Sequence, residues 1–544
     1  MRDAWCRRVT FSCTALGHER LGGLSMRTVL RRGLPAAVPI ATAVALVGAV
    51  LGLAASNVHL ASTSDPYAGC HIGGPGFVSV NAEVEPFVAV NPKHGSNLVG
   101  VFQQDRWYDG GSHGVAAAFT SDSGNSWSVV PLPFSSCAPG GMPYQRASDP
   151  WVSFGPDGKA YTDALQFDET TPRNAVSAAT STDGGRTWAN VHAIITDNNK
   201  DIFDDKNSIT ADPKKTGVAY AVWDRGSISH NNQPAYFSKT TDGGATWSTA
   251  KAITSTADAV GSIGNIIVVD PRNGTLYDVF DNFTFTPRGF VATAVESIIK
   301  STDGGDTWSS PIAIGDDTDV GAVGPVTGAI LRTGSGLPDV AIDAKTGQLY
   351  VVWEDSRFSG GQFDEVAMST STDGGLTWSA PSRVNKNTGL PAVTPMVAVN
   401  SDGTVGVTYY DFRTLPDANF PTSDPATLPT SYWLTTSPRG GASFNKEVAI
   451  ISSPFDLQSA AFAFGYFIGD YQGLTTRGDS FVTFFGQATG SESQGSNPHN
   501  RSDIFSRTIG VDEPNEDVHS SAAPSASTRT SQQGQAHSRS TRQF

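Results

Sequence analysis

Charge is scarce in this sequence, and basic charge is the scarcer kind. Only 16% of the 544 residues are charged, with 37 Lys and Arg against 52 Asp and Glu, a net of −15. Phosphate is held by clustered cations, so nucleic acid is excluded as a partner, and adhesion to anionic lipid with it. Helical patterning is missing too: after the N-terminal region, no long stretch carries apolar residues at i, i+3 and i+4. Zinc-ligand spacing, a phosphate loop, a dinucleotide fingerprint and a nucleophile elbow are absent. No cofactor is expected; an acidic turn could take calcium, but no ligand pattern points to one. Cysteine is nearly absent. Of four, Cys6 and Cys13 precede the one long apolar run, Leu34 to Ala55, which leaves Cys70 and Cys137.

What is present points to strands. The chain holds 57 Gly, 32 Pro, 11 Trp, 13 Tyr and 28 Phe. Tight turns and aromatic bulk in that measure fit an all-β fold of many short strands. Arg27, Arg31 and Arg32 precede the apolar run, and Gly52, Ala54, Ala55 and Ser56 close it. That is the charged, apolar and small-residue order of a secretory signal, with Met26 as an alternative start and cleavage expected between Ala54 and Ala61. The alternative is an uncleaved anchor, because the run nearly reaches spanning length. The mature chain is expected to be extracellular, monomeric and free of the membrane. Two cysteines in such a compartment predict a Cys70–Cys137 disulfide, the alternative being two buried thiols. Residues 510–544 are Ser-, Gln-, Thr-, Arg- and Ala-rich and predict a disordered tail. The expected division is therefore 1–61 for extension and signal, 62–509 for the folded domain, and 510–544 for the tail.

One motif recurs. It reads Ser181-Thr182-Asp183-Gly184-Gly185-Arg186-Thr187-Trp188 and returns around Asp242, Asp303 and Asp373, with a looser first copy at Asp122. The aspartates lie 61, 59, 61 and 70 residues apart. A sixth copy, Ser437 to Phe444, keeps the glycines and an aromatic but has no Asp. The Asp carboxylate can accept turn N–H groups, the glycines permit positive φ, and the Trp anchors the hairpin. These aspartates read as structural. The period implies a β-propeller of four-stranded blades. Seven blades are favoured, with Phe77-Val78-Ser79-Val80 completing the last blade, and six is the alternative.

In such a blade the motif occupies the turn between third and fourth strands. The second-to-third loops and the blade connections then meet on the opposite face. They carry Asp105-Arg106, Asp224-Arg225, Glu354 with Arg357, and Asp411 with Arg413. The connections add Arg146, Asp149, Asp205-Lys206 and Asp470-Tyr471, and His113, His230 and His499 fall in the loops. Arginines on one rim can hold a carboxylate bidentately, and paired carboxylates serve glycoside hydrolysis. The alternative is repeat-borne packing, each Arg bonding a neighbouring carboxylate.

The motif is the Asp-box, or BNR repeat, and over roughly residues 76–509 the chain resembles the sialidase-like superfamily. The resemblance implies a glycan-active protein, with Arg106, Arg225, Arg357 and Arg413 as substrate-binding arginines beside Asp105, Asp224 and Asp411. It implies catalytic roles for Glu354, Asp149 and Tyr471, and a glycan or glycoconjugate as partner. The Arg-Ile/Leu-Pro motif that carries a sialidase's first arginine is absent, which argues against sialic acid. The expected function is a secreted glycoside hydrolase. Its alternatives are a non-catalytic propeller that binds glycan or protein, and a polysaccharide lyase.

Overall fold

A computed structural model of the chain describes residues 57–72, 76–286, 288–324, 328–415, 427–438, 440–444, 446–494 and 497–512. Of the expected extension and signal, 1–61, only residues 57–61 are described, and of the expected tail only 510–512; the rest of both lies outside the described residues. Within them the protein is all-β. It has no α-helix there, and short 3-10 turns occupy Ser356–Phe358 and Leu457–Ser459.

The strands gather in chain order into four-stranded antiparallel sheets, the first two joined by one residue pair, Ser112 with Ala147. Their first strands are Val84–Val90, Arg146–Phe154, Ile202–Ala211, Val260–Val269, Asp339–Ile342, Ala392–Val399 and Gly473–Arg477. Each packs on the next, and Gly473–Arg477 packs on Val84–Val90. Second strands are sandwiched between neighbouring sheets. Every residue of Leu98–Trp107, Leu349–Asp355 and Val405–Asp411 is buried, so these strands lose the in–out alternation of a half-exposed strand.

The Asp turns join third to fourth strands, as the motif predicts. Thr187 donates to Asp183 from its backbone N–H at 2.9 Å and its hydroxyl at 2.6 Å, while Ser181 Oγ donates at 2.8 Å. Such donors hold Asp122 and Asp242 down at about 2 and lower Asp303 and Asp373 further still. The turns also tie sheets together. Side chains from the preceding sheet donate to the motif glycine carbonyls: Asn97 to Gly184, Lys159 to Gly243, and Lys239 to Gly304.

Five first strands share a bulge. The register slips around Glu85, Asp149, Lys206, Gly264 and Thr394, whose φ values are 53°, 52°, 46°, 72° and 53°. Glycine adopts this conformation freely, whereas each other residue gives up roughly 1–2 kcal/mol. Pro86, Pro150 and Pro395 follow three of the bulges, where the ladder has already lapsed and a missing N–H costs little.

The first and last described strands meet in the last sheet, though through a different segment from the one expected. His59–Leu60, not Phe77–Val80, pairs with Asn497–Ile509, while Val78–Ser79 pairs with Leu98–Trp107. Two features favour the earlier segment. Ala61 donates to the Ile504 carbonyl at 2.7 Å, and Ser62 Oγ accepts from Ile504 N–H at 2.9 Å. The expected Cys70–Cys137 disulfide is present and fastens the same N-terminal stretch. Removing residues through Leu60 is expected to lower the thermal midpoint by several degrees, read by circular dichroism. A signal cut at Ala54 or Ala55 would spare this strand and a cut at Ala61 would destroy it, so N-terminal sequencing of protein recovered from the medium of an expressing culture should find a start before His59.

Candidate active site

The bulges bring charge together. Lys206 Nζ lies 2.9 Å from Asp470 Oδ2 and 3.4 Å from both Asp149 Oδ2 and Glu85 Oε1. Arg332 forks onto Asp470, Nε to Oδ1 at 2.9 Å and Nη2 to Oδ2 at 2.5 Å. Gln103 donates to Glu85 and accepts from Arg106 Nη1 at 2.7 Å. The guanidinium groups of Arg106 and Arg332 stand 4.9 and 4.3 Å from the Phe467 ring centre, and Lys206 Nζ is 5.2 Å from that of Tyr471. These groups come from the first, second and third sheets and from the segments that lead into the fifth and seventh. A small sheet joins those two segments: Leu331–Arg332 runs parallel to Tyr466–Phe467, which pairs with Ala461–Phe462.

Burial and mutual charge set the electrostatics. Burial first, then Asp149, pushes Glu85 up to about 8, against the pull of Lys206. Burial and Asp149 likewise raise Asp205 to about 6. Burial opposes charge on Asp470 as well, yet Arg332 and Lys206 hold it well below the usual carboxylate range. For Lys206 burial is outweighed by Asp470, Asp149 and Glu85, which raise it. Above the cluster opens a cavity of about 790 Å3 lined by Arg106, Asp149, Asp205, Lys206, Arg332 and Asp470. Phe167, Phe203, Phe283 and Phe464 also line it, Phe464 with φ at 65°. A smaller cavity of about 40 Å3 shares Lys206 and Asp470 with it and includes Trp151 and Tyr471.

Of the residues singled out in the sequence, the structure brings Arg106, Asp149, Asp205, Lys206, Asp470 and Tyr471 to this place. The Tyr471 hydroxyl is 3.5 Å from the Pro150 carbonyl, and burial, followed by Glu85, raises it well above the usual phenol range. Arg225, Arg357 and Arg413 do not line the cavity. They share one local arrangement, in which a Trp indole N–H and an Arg both donate to a buried Asp. Trp223 and Arg225 meet on Asp204 at 2.9 and 3.0 Å, and Trp353 and Arg357 on Asp355 at 2.8 and 2.6 Å. Trp433 and Arg413 meet on Asp411 at 3.0 and 2.5 Å, with Glu447 as a second acceptor for Arg413.

The other acids brace backbone. Asp224 accepts from Gly264 N–H at 3.1 Å and Glu354 from Thr394 N–H at 2.8 Å, so each holds the bulge of the following sheet. Glu354 also accepts from the Thr333 hydroxyl, and burial, then Asp364, raises it far above the usual range. Asp105 accepts from Asn81 N–H at 2.8 Å and faces His113 Nδ1 at 2.9 Å. His230 sits exposed beside Asp258, and the side chain of His499 lies outside the described residues.

Sequence reasoning passed over Glu85 and Arg332. Glu85-Pro86 could have been matched to Asp149-Pro150 and Thr394-Pro395, which hold the same place in their repeats. Arg332 lies in a long connection without a repeat partner, so the sequence held no signal for it.

No protein-family model matches the chain, and no curated protein matches it. Among solved structures the chain is similar to the Hadza microbial sialidase Hz136, at 14% identity over 81% of this chain and 92% of that one, TM-score 0.40. It is similar to a Penicillium chrysogenum α-L-arabinanase complexed with arabinobiose, at 11% identity over 81% and 97%, TM-score 0.41. An intramolecular trans-sialidase from Ruminococcus gnavus follows at 13% identity over 80% and 96%, TM-score 0.40. Likeness at this level assigns neither a family nor a reaction to the chain.

Proposed function

We propose that the sheets are the blades of a closed seven-bladed propeller, and that the protein is a secreted glycoside hydrolase acting in the cavity over Lys206. One observation carries the reading: two carboxyl groups from adjacent sheets, Asp149 and Asp205, line the same cavity, and burial with the Asp149 charge pushes Asp205 up to about 6. Glycoside hydrolysis needs one carboxyl kept protonated to donate to the leaving oxygen and a second as base or nucleophile. Asp205 takes the acid role and Asp149, paired with Lys206, the other. The phenylalanine faces suit the C–H faces of a sugar ring, and Tyr471 supports Lys206 from the adjoining cavity.

A second reading, a non-catalytic binding module, draws on Arg225, Arg357 and Arg413, whose side chains are taken up by packing. A glycan panel separates the two. Hydrolysis by purified mature protein, lost in both Asp149→Asn and Asp205→Asn, is the expected result. Hydrolysis that survives both substitutions overturns the site, and binding without turnover favours the module.

A further inference from the structure

The positive charge at the floor of the cavity is already answered at Lys206 and Arg332. Eight acidic and five cationic side chains line it, in a space that a glycan's hydroxyl groups would fill. Lys206 is surrounded by Asp470, Asp149 and Glu85. Both oxygens of Asp470 occupy the fork of Arg332, the geometry with which an arginine would otherwise take a ligand's carboxylate. Arg106 donates to Gln103, and Arg173 to Asp168 at 2.8 Å and the Pro143 carbonyl at 2.6 Å. Lys200 stands exposed at the rim. An acidic ligand that is to reach Arg332 and Lys206 would have to displace Asp470 from two cations at once and leave it buried beside Asp149 and Glu85. That exchange is unfavourable on both counts, unpaired buried charge and like-charge contact. A hydroxyl or ammonium ligand meets no such conflict, because carboxylates accept its hydrogen bonds where they stand.

We propose that this cavity takes a neutral or amino-bearing saccharide and discriminates against uronates and sialosides, with the Asp470–Arg332–Lys206 cluster as the element that does so. The inference rests on the glycan reading above and adds the substrate class. It also assigns Asp470 a role in specificity: by filling Arg332, it withholds a bidentate carboxylate receptor that lines the cavity.

The test uses the full mature chain and matched oligosaccharide pairs that differ only at C6, glucosyl against glucuronosyl and galactosyl against galacturonosyl, together with a sialylated and a desialylated lactose. Affinity is read by calorimetry and turnover by release of reducing ends. The neutral member of each pair is expected to win by at least about tenfold. Asp470→Asn, which removes one charge and releases Arg332 and Lys206, is expected to shrink or reverse that ratio. Because Asp470→Asn could fail to fold, the wild-type ratio stands as a test by itself. A wild type that prefers the acidic members overturns the selectivity and leaves the glycan reading intact. A wild type that binds and cleaves no member of any pair removes the glycan reading, and this inference with it.

Discussion

Asparagine in place of Asp205 is expected to lower glycan turnover by roughly 10²–10⁴-fold, the usual contribution of a general acid, while melting temperature and ligand affinity stay close to wild type. The substitution is isosteric. The hydrogen bond that Asp205 Oδ1 accepts from Lys206 N–H at 2.9 Å can be accepted equally by an amide oxygen, so the bulge keeps its brace. The pH profile adds a second signature. Because burial and Asp149 hold the folded Asp205 at about 6, its proton is present below that pH and lost above it. In the wild type kcat/KM should therefore fall as pH rises through about 6, and residual activity of Asp205→Asn should lack that limb. A variant that keeps both rate and profile would remove Asp205 from the chemistry. An unchanged Kd with kcat lost is what distinguishes an acid from a side chain that only shapes the cavity.

Much of the architecture was legible from residues 121–127, 181–188 and their later copies. A turn that needs an Asp acceptor, two positive-φ glycines and an aromatic anchor leaves little freedom in composition, so its period shows through. The bulges at Glu85, Asp149, Lys206, Gly264 and Thr394 restrict which residues can stand there, and Pro86, Pro150 and Pro395 recur just after three of them. The closing strand was misplaced because His59–Leu60 is only two residues long and gains its place from pairing with Asn497–Ile509, which no local pattern encodes.

The site was less legible. Asp-x-Arg in successive sheets is a strong sequence signal, but at Arg225, Arg357 and Arg413 the signal comes from a Trp–Asp–Arg packing unit repeated with the fold. Repetition therefore marked what supports the sheets. The charged cluster is the reverse case. Glu85, Asp149 and Lys206 share a structural position, yet carry different residues there, and Arg332 and Asp470 arrive on connections outside the repeat. Topology alone placed Asp149, Lys206 and Asp470 on converging connections, whereas Glu85 was passed over and Arg332 gave no repeated signal to find it by.

Replacing Lys206 with Met should expose what that departure requires. Glu85, Asp149 and Asp470 are 0%, 5% and 7% exposed, and the ammonium is the charge they share. Removing one partner from a buried ionic cluster costs roughly 3–5 kcal/mol. Methionine keeps the length of the stem and is no worse than lysine at a φ of 46°, so the loss reports charge and not backbone strain. The pH dependence gives the sign. In the wild type Asp470 is depressed, so its contribution is present above the ordinary Asp value of about 4 and lost as pH falls. Glu85, raised to about 8, contributes in the opposite direction, favouring the fold at low pH and losing that contribution as pH rises through about 8. Without Lys206, Glu85 and Asp149 lose their nearest cation and their charge is removed more readily by protonation, while Asp470 keeps Arg332. Lys206→Met should therefore melt well below wild type at pH 8 and recover much of the difference at pH 5, with Lys206→Arg closer to wild type at both. Equal melting of Lys206→Met and wild type at pH 8 would mean that the carboxylates do not depend on the cation.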